Sequence, residues 1–134
     1  MKGSDINAKN SEPLRWASRN GSYKLVKYSV ENGANINTIH GNQMPHPYDI
    51  EDESALMLDI KNGHLHIVKY LIEHGADIRL NDRFLEVASQ KGYLNIVKHL
   101  VEKGVPITHE AVFAARQFKH LQVYNYLNNK MYNI

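Results

Sequence analysis

The side chains best suited to chemistry in this chain of 134 residues are its eight histidines and its carboxylates. The sequence contains no cysteine, which excludes disulfides, thiolate nucleophiles and thiolate metal sites. His64 and His66 are two residues apart on a predicted helix, so their rings point in different directions. His40 and His46 precede several acidic residues within 49–53, but none of these pairs has the fixed spacing that a helix gives to metal ligands. The sequence therefore predicts no metal site and no cofactor.

A catalytic centre is not indicated either. The chain has no glycine-rich phosphate loop, paired-carboxylate motif or nucleophile elbow. Asp59 stands out because it interrupts the apolar run Ala55–Ile60, and a buried carboxylate without partners is costly. We expect Asp59 to be hydrogen-bonded, to tilt toward solvent, or to mark an altered helix. The repeat pattern sets no second acid, histidine or nucleophile beside Asp59, so we predict that the chain is not an enzyme.

The element that must position these residues is a repeated helical unit. Residues 63–78 read GHLHIVKYLIEHGADI, and residues 21–36, 92–107 and, faintly, 119–130 repeat them. The apolar residues of this unit recur at offsets of three, four and seven, which predicts an amphipathic helix that ends near His74. Ser54 is a predicted N-cap for a shorter helix before the turn at Gly63. Neither helix can bury its apolar face alone, so neighbouring units must stack and share a core that includes Leu71.

These units resemble ankyrin repeats, which have a Gly-His-Leu turn, a closing Gly-Ala-Asp and a small Ala in the first helix. The resemblance implies an all-α solenoid of stacked helix-turn-helix units with degenerate terminal repeats. It implies one ankyrin repeat domain over 1–134, with repeats at about 11–37, 54–79, 83–108 and 110–130 and an insertion at 38–53. The residues that carry the resemblance are Pro13, Leu14, Ala17, Gly63, His64, Leu65, Gly75, Ala76, Asp77, Leu85, Ala88 and Ala115.

Further details depart from or extend this pattern. Asp59 occupies the position of the small Ala, and Trp16 occupies a position where the family has an apolar residue, so we expect Trp16 in the core. Asp82 and Thr108 follow short connections and are predicted N-caps. The sequence of the repeats, which is rich in Asn, Lys, Ile and Tyr, also resembles that of the ankyrin families of large DNA viruses.

Composition and charge limit the classes of partner. The net charge of +2 is too small to indicate a nucleic-acid partner, and the lysines that recur on the outer helices alternate with glutamates. No apolar run approaches the ~18 residues of a membrane span, and Met1–Asn10 lack a signal-peptide core. We therefore expect an intracellular, cytoplasmic protein, in the host cytoplasm if it is viral. Residues 3–7 match 33–37, so the chain begins with the tail of a repeat, through truncation or descent from a longer array.

The resemblance implies a non-catalytic module that binds an unidentified partner protein, and no small-molecule substrate, through a concave face and loops. Three alternatives remain open: an adaptor that captures a host protein for a virus, a self-associating structural protein that is otherwise monomeric, and a weak nucleic-acid binder. The predicted partner contacts precede the turns or lie on loops. They are Arg19, Asn20, Met44, Tyr48, Lys61, Asn62, Arg79, Leu80, Gln90, Lys91, Gln117 and Phe118.

Overall fold

A computed structural model of the chain describes residues 8–37, 54–79 and 81–132. Within these ranges the chain forms α-helices and no strand, which confirms the predicted all-α class of paired helices. None of these helices combines the length and the apolar composition needed to cross a membrane. The helices are α1 (Ala8–Arg19), α2 (Tyr23–Glu31), α3 (Ala55–Asn62), α4 (Leu65–Glu73), α5 (Phe84–Lys91), α6 (Leu94–Glu102), α7 (His109–Gln117) and α8 (Leu121–Tyr132).

The chain divides into two compact units, residues 1–77 and 78–134. In the N-terminal unit α1 packs against α2 and α3, α3 packs against α4, and α2 contacts α4. In the C-terminal unit α5 packs against α6 and α7, α7 packs against α8, and α6 contacts α8. Each unit is therefore two helix pairs side by side, with the first helix of one pair against the first helix of the next.

The core of the N-terminal unit is the predicted apolar face of its helices. Leu14, Val26, Val68 and Leu71 have no solvent-accessible surface, which confirms the expectation for Leu71. The helix α4 ends at Glu73 and His74 is its C-cap, as the periodicity predicts. Burial of such aliphatic side chains contributes about 1.5–3 kcal/mol each.

The N-termini of the helices confirm two of the predicted caps and correct the third. The hydroxyl of Ser54 accepts a hydrogen bond from the Met57 amide at 3.1 Å, and that of Thr108 accepts one from the Ala111 amide at 3.1 Å. The prediction for Asp82 is wrong, because α5 starts one residue later than that role requires and Arg83 is the N-cap, without a side-chain hydrogen bond. The Asp82 carboxylate is exposed instead.

The expectation that Trp16 lies in the core is also wrong. Its side chain is 54% exposed. The equivalent residues Leu58 on α3 and Ala114 on α7 are buried, and each belongs to a helix pair that packs against a preceding pair of the same unit. Trp16 belongs to the first pair, so its face of α1 has no such neighbour within the described residues.

The fourth turn keeps the left-handed geometry of the earlier turns after losing their glycine. Gly63 and Gly92 end α3 and α5 with φ of 75° and 78°. Lys119, at the equivalent position after α7, has φ of 65°. A residue with a Cβ adopts this region at a cost of roughly 1–2 kcal/mol. The fourth helix pair thus carries backbone strain that the others avoid.

Replacing Leu71 by alanine tests the shared core. We expect Leu71→Ala to lower the free energy of unfolding by about 2–5 kcal/mol, because it leaves a cavity among fully buried side chains. Urea denaturation measures the change. Glu73→Ala on the same helix removes an exposed side chain and should change stability by less than about 0.5 kcal/mol. A Leu71→Ala protein as stable as the parent contradicts the packing described here.

Replacing Lys119 by glycine tests the strain in the fourth turn. We expect Lys119→Gly to raise the free energy of unfolding by about 1 kcal/mol, since glycine adopts the left-handed region without a Cβ clash. Thermal unfolding of the two proteins measures the difference. A lower melting temperature for Lys119→Gly shows that the entropy of the unfolded chain outweighs the strain.

Candidate functional site

The predicted contacts of the N-terminal unit lie at the ends of α1 and α3, which pack against each other. Arg19, Asn20 and Asn62 are exposed and Lys61 is half-buried. The side-chain amide of Asn20 donates to the Trp16 carbonyl at 2.9 Å, and that of Asn62 donates to the Leu58 carbonyl at 2.8 Å. The two asparagine amides therefore satisfy carbonyls at the C-termini of their own helices.

The predicted contacts of the C-terminal unit lie at the ends of α5 and α7, which also pack together. Gln90 is half-buried, whereas Lys91 and Gln117 are exposed. Phe118, the C-cap of α7, is one of the exposed large apolar residues. The predicted contacts Met44, Tyr48 and Leu80 lie outside the described residues.

A cleft opens at the opposite ends of the same two helices, between the turns that precede α5 and α7. One part is a cavity of about 200 Å³. A second part, of about 250 Å³, is lined by Asp82, Glu86, Thr108 and Glu110. Asp82 and Thr108 line both parts, so we treat them as one feature, the turn cleft. The first part is lined by Ile78, Arg79, Asn81, Asp82, Gly104, Val105, Pro106 and Thr108.

The turn cleft is apolar at one end and carries carboxylates at the other. The predicted contact Arg79 lies in the wall of the apolar part. In the acidic part, Glu86 faces Arg83 with 3.7 Å between Oε1 and Nε, and an ion pair this long and this exposed is weak. The Thr108 hydroxyl is used as the cap of α7. The cleft can therefore accept an apolar group that adjoins a positive charge.

Sequence reasoning missed the carboxylates of the turn cleft. The sequence pattern predicts a helix cap at Asp82, and Glu86 and Glu110 lie within helices whose neighbours the sequence does not specify. The available signal was the shortness of the two connections, since short turns bring the starts of consecutive helices close together. Pro106, in the connection before α7, lines the apolar part.

The second polar feature is a pair formed by the buried Asp59 and the half-buried His64. Asp59 has no exposed surface, and its Oδ1 lies 2.9 Å from Nδ1 of His64. The expectation that no histidine lies beside Asp59 is therefore wrong. The left-handed turn at Gly63 folds the chain back, so that the His64 amide also donates to the Asp59 carbonyl at 2.9 Å. Of the three outcomes expected for Asp59, the structure has the hydrogen-bonded one.

Burial controls the ionisation of Asp59. It raises the pKa of Asp59 from 3.8 to about 7, and Ser18 and His64 lower the pKa in part. The Ser18 hydroxyl is buried near the carboxyl group but misses hydrogen-bond geometry, so Oδ2 of Asp59 has no partner within the described residues. An unsatisfied oxygen in the core makes the charged form of Asp59 costly.

The environment of His64 indicates a structural role for the pair. A Cβ added to Gly21 would lie 2.6 Å from Nε2 of His64, so this nitrogen faces the turn between α1 and α2. Gly21 is required there because any side chain would collide with the ring. The ring joins α3, which carries Asp59, to the turn of the preceding helix pair.

A third feature is a groove of about 540 Å³ on the outer helices of the N-terminal unit, lined by Tyr23 on α2 and by His66, Lys69, Tyr70 and Glu73 on α4. The rings of Tyr23 and Tyr70 meet edge to face with 5.5 Å between their centroids. Burial is the largest cause of a raised pKa for Tyr70. Within the described residues, no group of three or more histidine and acidic side chains is arranged to hold a metal.

Comparison with known proteins adds a family. The sequence profile described as "Ankyrin repeats (3 copies)" matches residues 14–111, which span α2 to α6 and parts of α1 and α7. No curated protein matches the chain.

The pH dependence of stability tests the Asp59 pair. Protonated Asp59 contributes stability that is fully present below pH 3.8 and is lost as the pH rises through about 7. We expect the parent protein to lose about 2–3 kcal/mol of unfolding free energy through this group between about pH 5 and about pH 8. Asp59→Ala places at this position the residue found at the equivalent positions Ala17, Ala88 and Ala115. In urea denaturation, the unfolding free energy of this variant should fall by that amount less than the parent's over the same pH interval. The comparison cancels the titration of groups that both proteins share, so identical pH profiles contradict the assignment.

Proposed function

We propose, on the premise that the chain belongs to the ankyrin repeat family, that it is a non-catalytic module that binds a partner protein. Ankyrin repeats are generally protein-protein interaction modules. The binding surface in this proposal combines the turn cleft with the predicted contacts at the ends of the first helix of each pair. The insertion residues Met44 and Tyr48 are also proposed contacts of this partner.

The observation that carries this proposal is the turn cleft. Its apolar part has a volume of about 200 Å³. It is suited to one apolar side chain of a larger partner. Val105 is buried while Pro106 and Asp82 are exposed at the opening, so a side chain can reach the apolar wall from solvent.

The charges at the rim favour a particular peptide chemistry. Asp82 and Glu110 are exposed carboxylates at the acidic part of the cleft. A lysine or arginine next to an apolar residue in the partner would place its positive charge against them, and such complementarity adds specificity and speeds association. We therefore propose a partner segment in which a basic residue adjoins an apolar one.

The other end of the C-terminal unit supplies further proposed contacts. Phe118 is a large exposed aromatic side chain next to the exposed Gln117 and close in sequence to α8. Aromatic residues are enriched among the few that dominate binding energy at interfaces. Gln90 and Lys91, at the end of the adjoining α5, extend this surface.

A narrower proposal is that the partner is a host protein and that the chain is a viral adaptor in the host cytoplasm. It rests on the resemblance of the repeat sequences to those of the ankyrin families of large DNA viruses. The narrower proposal needs a second binding surface for the machine to which the captured protein is delivered.

Selection from a random peptide library displayed on phage tests the proposal. Peptides enriched on the intact chain are then measured by calorimetry against three variants. Asp82→Trp covers the mouth shared by both parts of the cleft, Glu102→Trp is the matched control at an exposed acid on α6, and a Gly-Ser linker replaces residues 42–52 in the third. We expect enriched peptides to combine basic and apolar residues, and Asp82→Trp to weaken them about tenfold or more, which corresponds to about 1.4 kcal/mol.

The control and the linker variant separate the possible outcomes. If only Asp82→Trp weakens binding, and the parent, the Glu102→Trp chain and the linker variant bind equally well, recognition lies in the turn cleft. Peptides that bind the Asp82→Trp chain as well as the parent, but not the linker variant, place recognition on the insertion and contradict a role for the cleft. If no peptide is enriched, the chain lacks the proposed binding activity.

A further inference from the structure

The two ends of the repeat series expose apolar faces. On the first helix pair, three residues are exposed at positions whose equivalents on the second pair are buried. Leu25 is 43% exposed, whereas the equivalent Ile67 on α4 is 3% exposed. We call the exposed set the leading face. It comprises Trp16, Leu25 and Tyr28, and the buried equivalents are Leu58, Ile67 and Tyr70.

The packing of the N-terminal unit shows what normally covers such a face. The second pair lays its leading face on the first pair, through the contacts of α3 with α1 and of α4 with α2. At this seam the Tyr70 ring of α4 meets Tyr23 of α2. Tyr23 therefore lies on the side of the first helix pair that is opposite to its leading face. The following helix pair packs on this side.

The last helix pair leaves that receiving surface uncovered within the described residues. Leu121 occupies on α8 the position that Tyr23 occupies on α2, and it is 64% exposed. Leu94, at the same position of α6, is half-buried and belongs to a pair on which another pair packs. We call the exposed set the trailing face. It comprises Phe113 and Leu121, both of them exposed large apolar residues.

We propose that the trailing face of one copy binds the leading face of a second copy, so that the repeat stacking continues between molecules. The occupant follows from continuity with the seams inside each unit, because both units join a leading face to a trailing face. Pairing of two leading faces does not reproduce either seam. The contact is heterologous, since each copy contributes a different face to it. This inference does not depend on the proposed function, because the turn cleft lies outside both faces.

Two charged variants block the faces one at a time without disturbing the helices. Leu25 is three residues after the N-cap Ser22, where a glutamate completes a capping box and favours α2. Leu121 is the first residue of α8, where a negative charge is favourable. Leu25→Glu therefore blocks the leading face, and Leu121→Glu blocks the trailing face, in chains that fold. Tyr132→Glu is the control, because it removes an exposed apolar side chain about 16 Å further along α8.

Multi-angle light scattering over a range of concentrations tests the proposal. We expect the average mass of the parent and of the Tyr132→Glu chain to rise with concentration, and each blocked variant alone to keep the mass of one copy. An equimolar mixture of the two blocked variants retains one leading and one trailing face, so its mass should reach that of two copies and stop. A monomeric parent, a monomeric mixture, or dimers of the Leu121→Glu chain alone overturns the proposal. Because Asp82 lies on neither face, peptide binding at the turn cleft can be measured separately on every variant.

Discussion

Each short helix in this protein depends on burial against a neighbour. The described helices are 8 to 12 residues long, and isolated helices of that length are marginal in water. Val68 and Leu71 on α4 are fully buried, as are Val97 and Leu100 at the equivalent positions of α6. The same apolar stripe therefore stabilises successive helix pairs. A pair whose apolar stripe was exposed to solvent would be unstable.

This dependence leaves the turns and the ends of the helices free to differ between repeats. The short connections before α5 and α7 form the turn cleft, whose residues vary in charge and size without entering the core. Asp59 shows the limit of that freedom. A carboxylate at a buried repeat position is accommodated only because His64 and Ser18 lie next to it, and it still has a raised pKa. The buried carboxylate therefore lowers the stability of the protein when it is ionised.

The sequence was sufficient for features that arise within one helix and its cap. The spacing of Leu71, the hydroxyls of Ser54 and Thr108, and the paired helices all follow from local patterns. It failed for Trp16, Asp82 and His64 because their surroundings depend on neighbouring elements. Trp16 lies on a pair that no described pair precedes, Asp82 is displaced by one residue from the start of α5, and His64 reaches Asp59 only through the turn at Gly63. The cleft was invisible for the same reason, since it is formed by two turns that are distant in sequence.

Native-state hydrogen exchange of the unmodified chain tests most directly whether neighbouring pairs depend on each other. The amides of Val26 and Leu71 lie in different helix pairs of the N-terminal unit, and both side chains belong to its core. If stacking holds the unit together, the most protected amides of α2 and α4 should exchange through one opening with the same free energy and the same dependence on denaturant. If the amides of α4 exchange through a separate opening of much lower free energy while α2 stays protected, the pairs unfold independently and stacking does not hold the unit together.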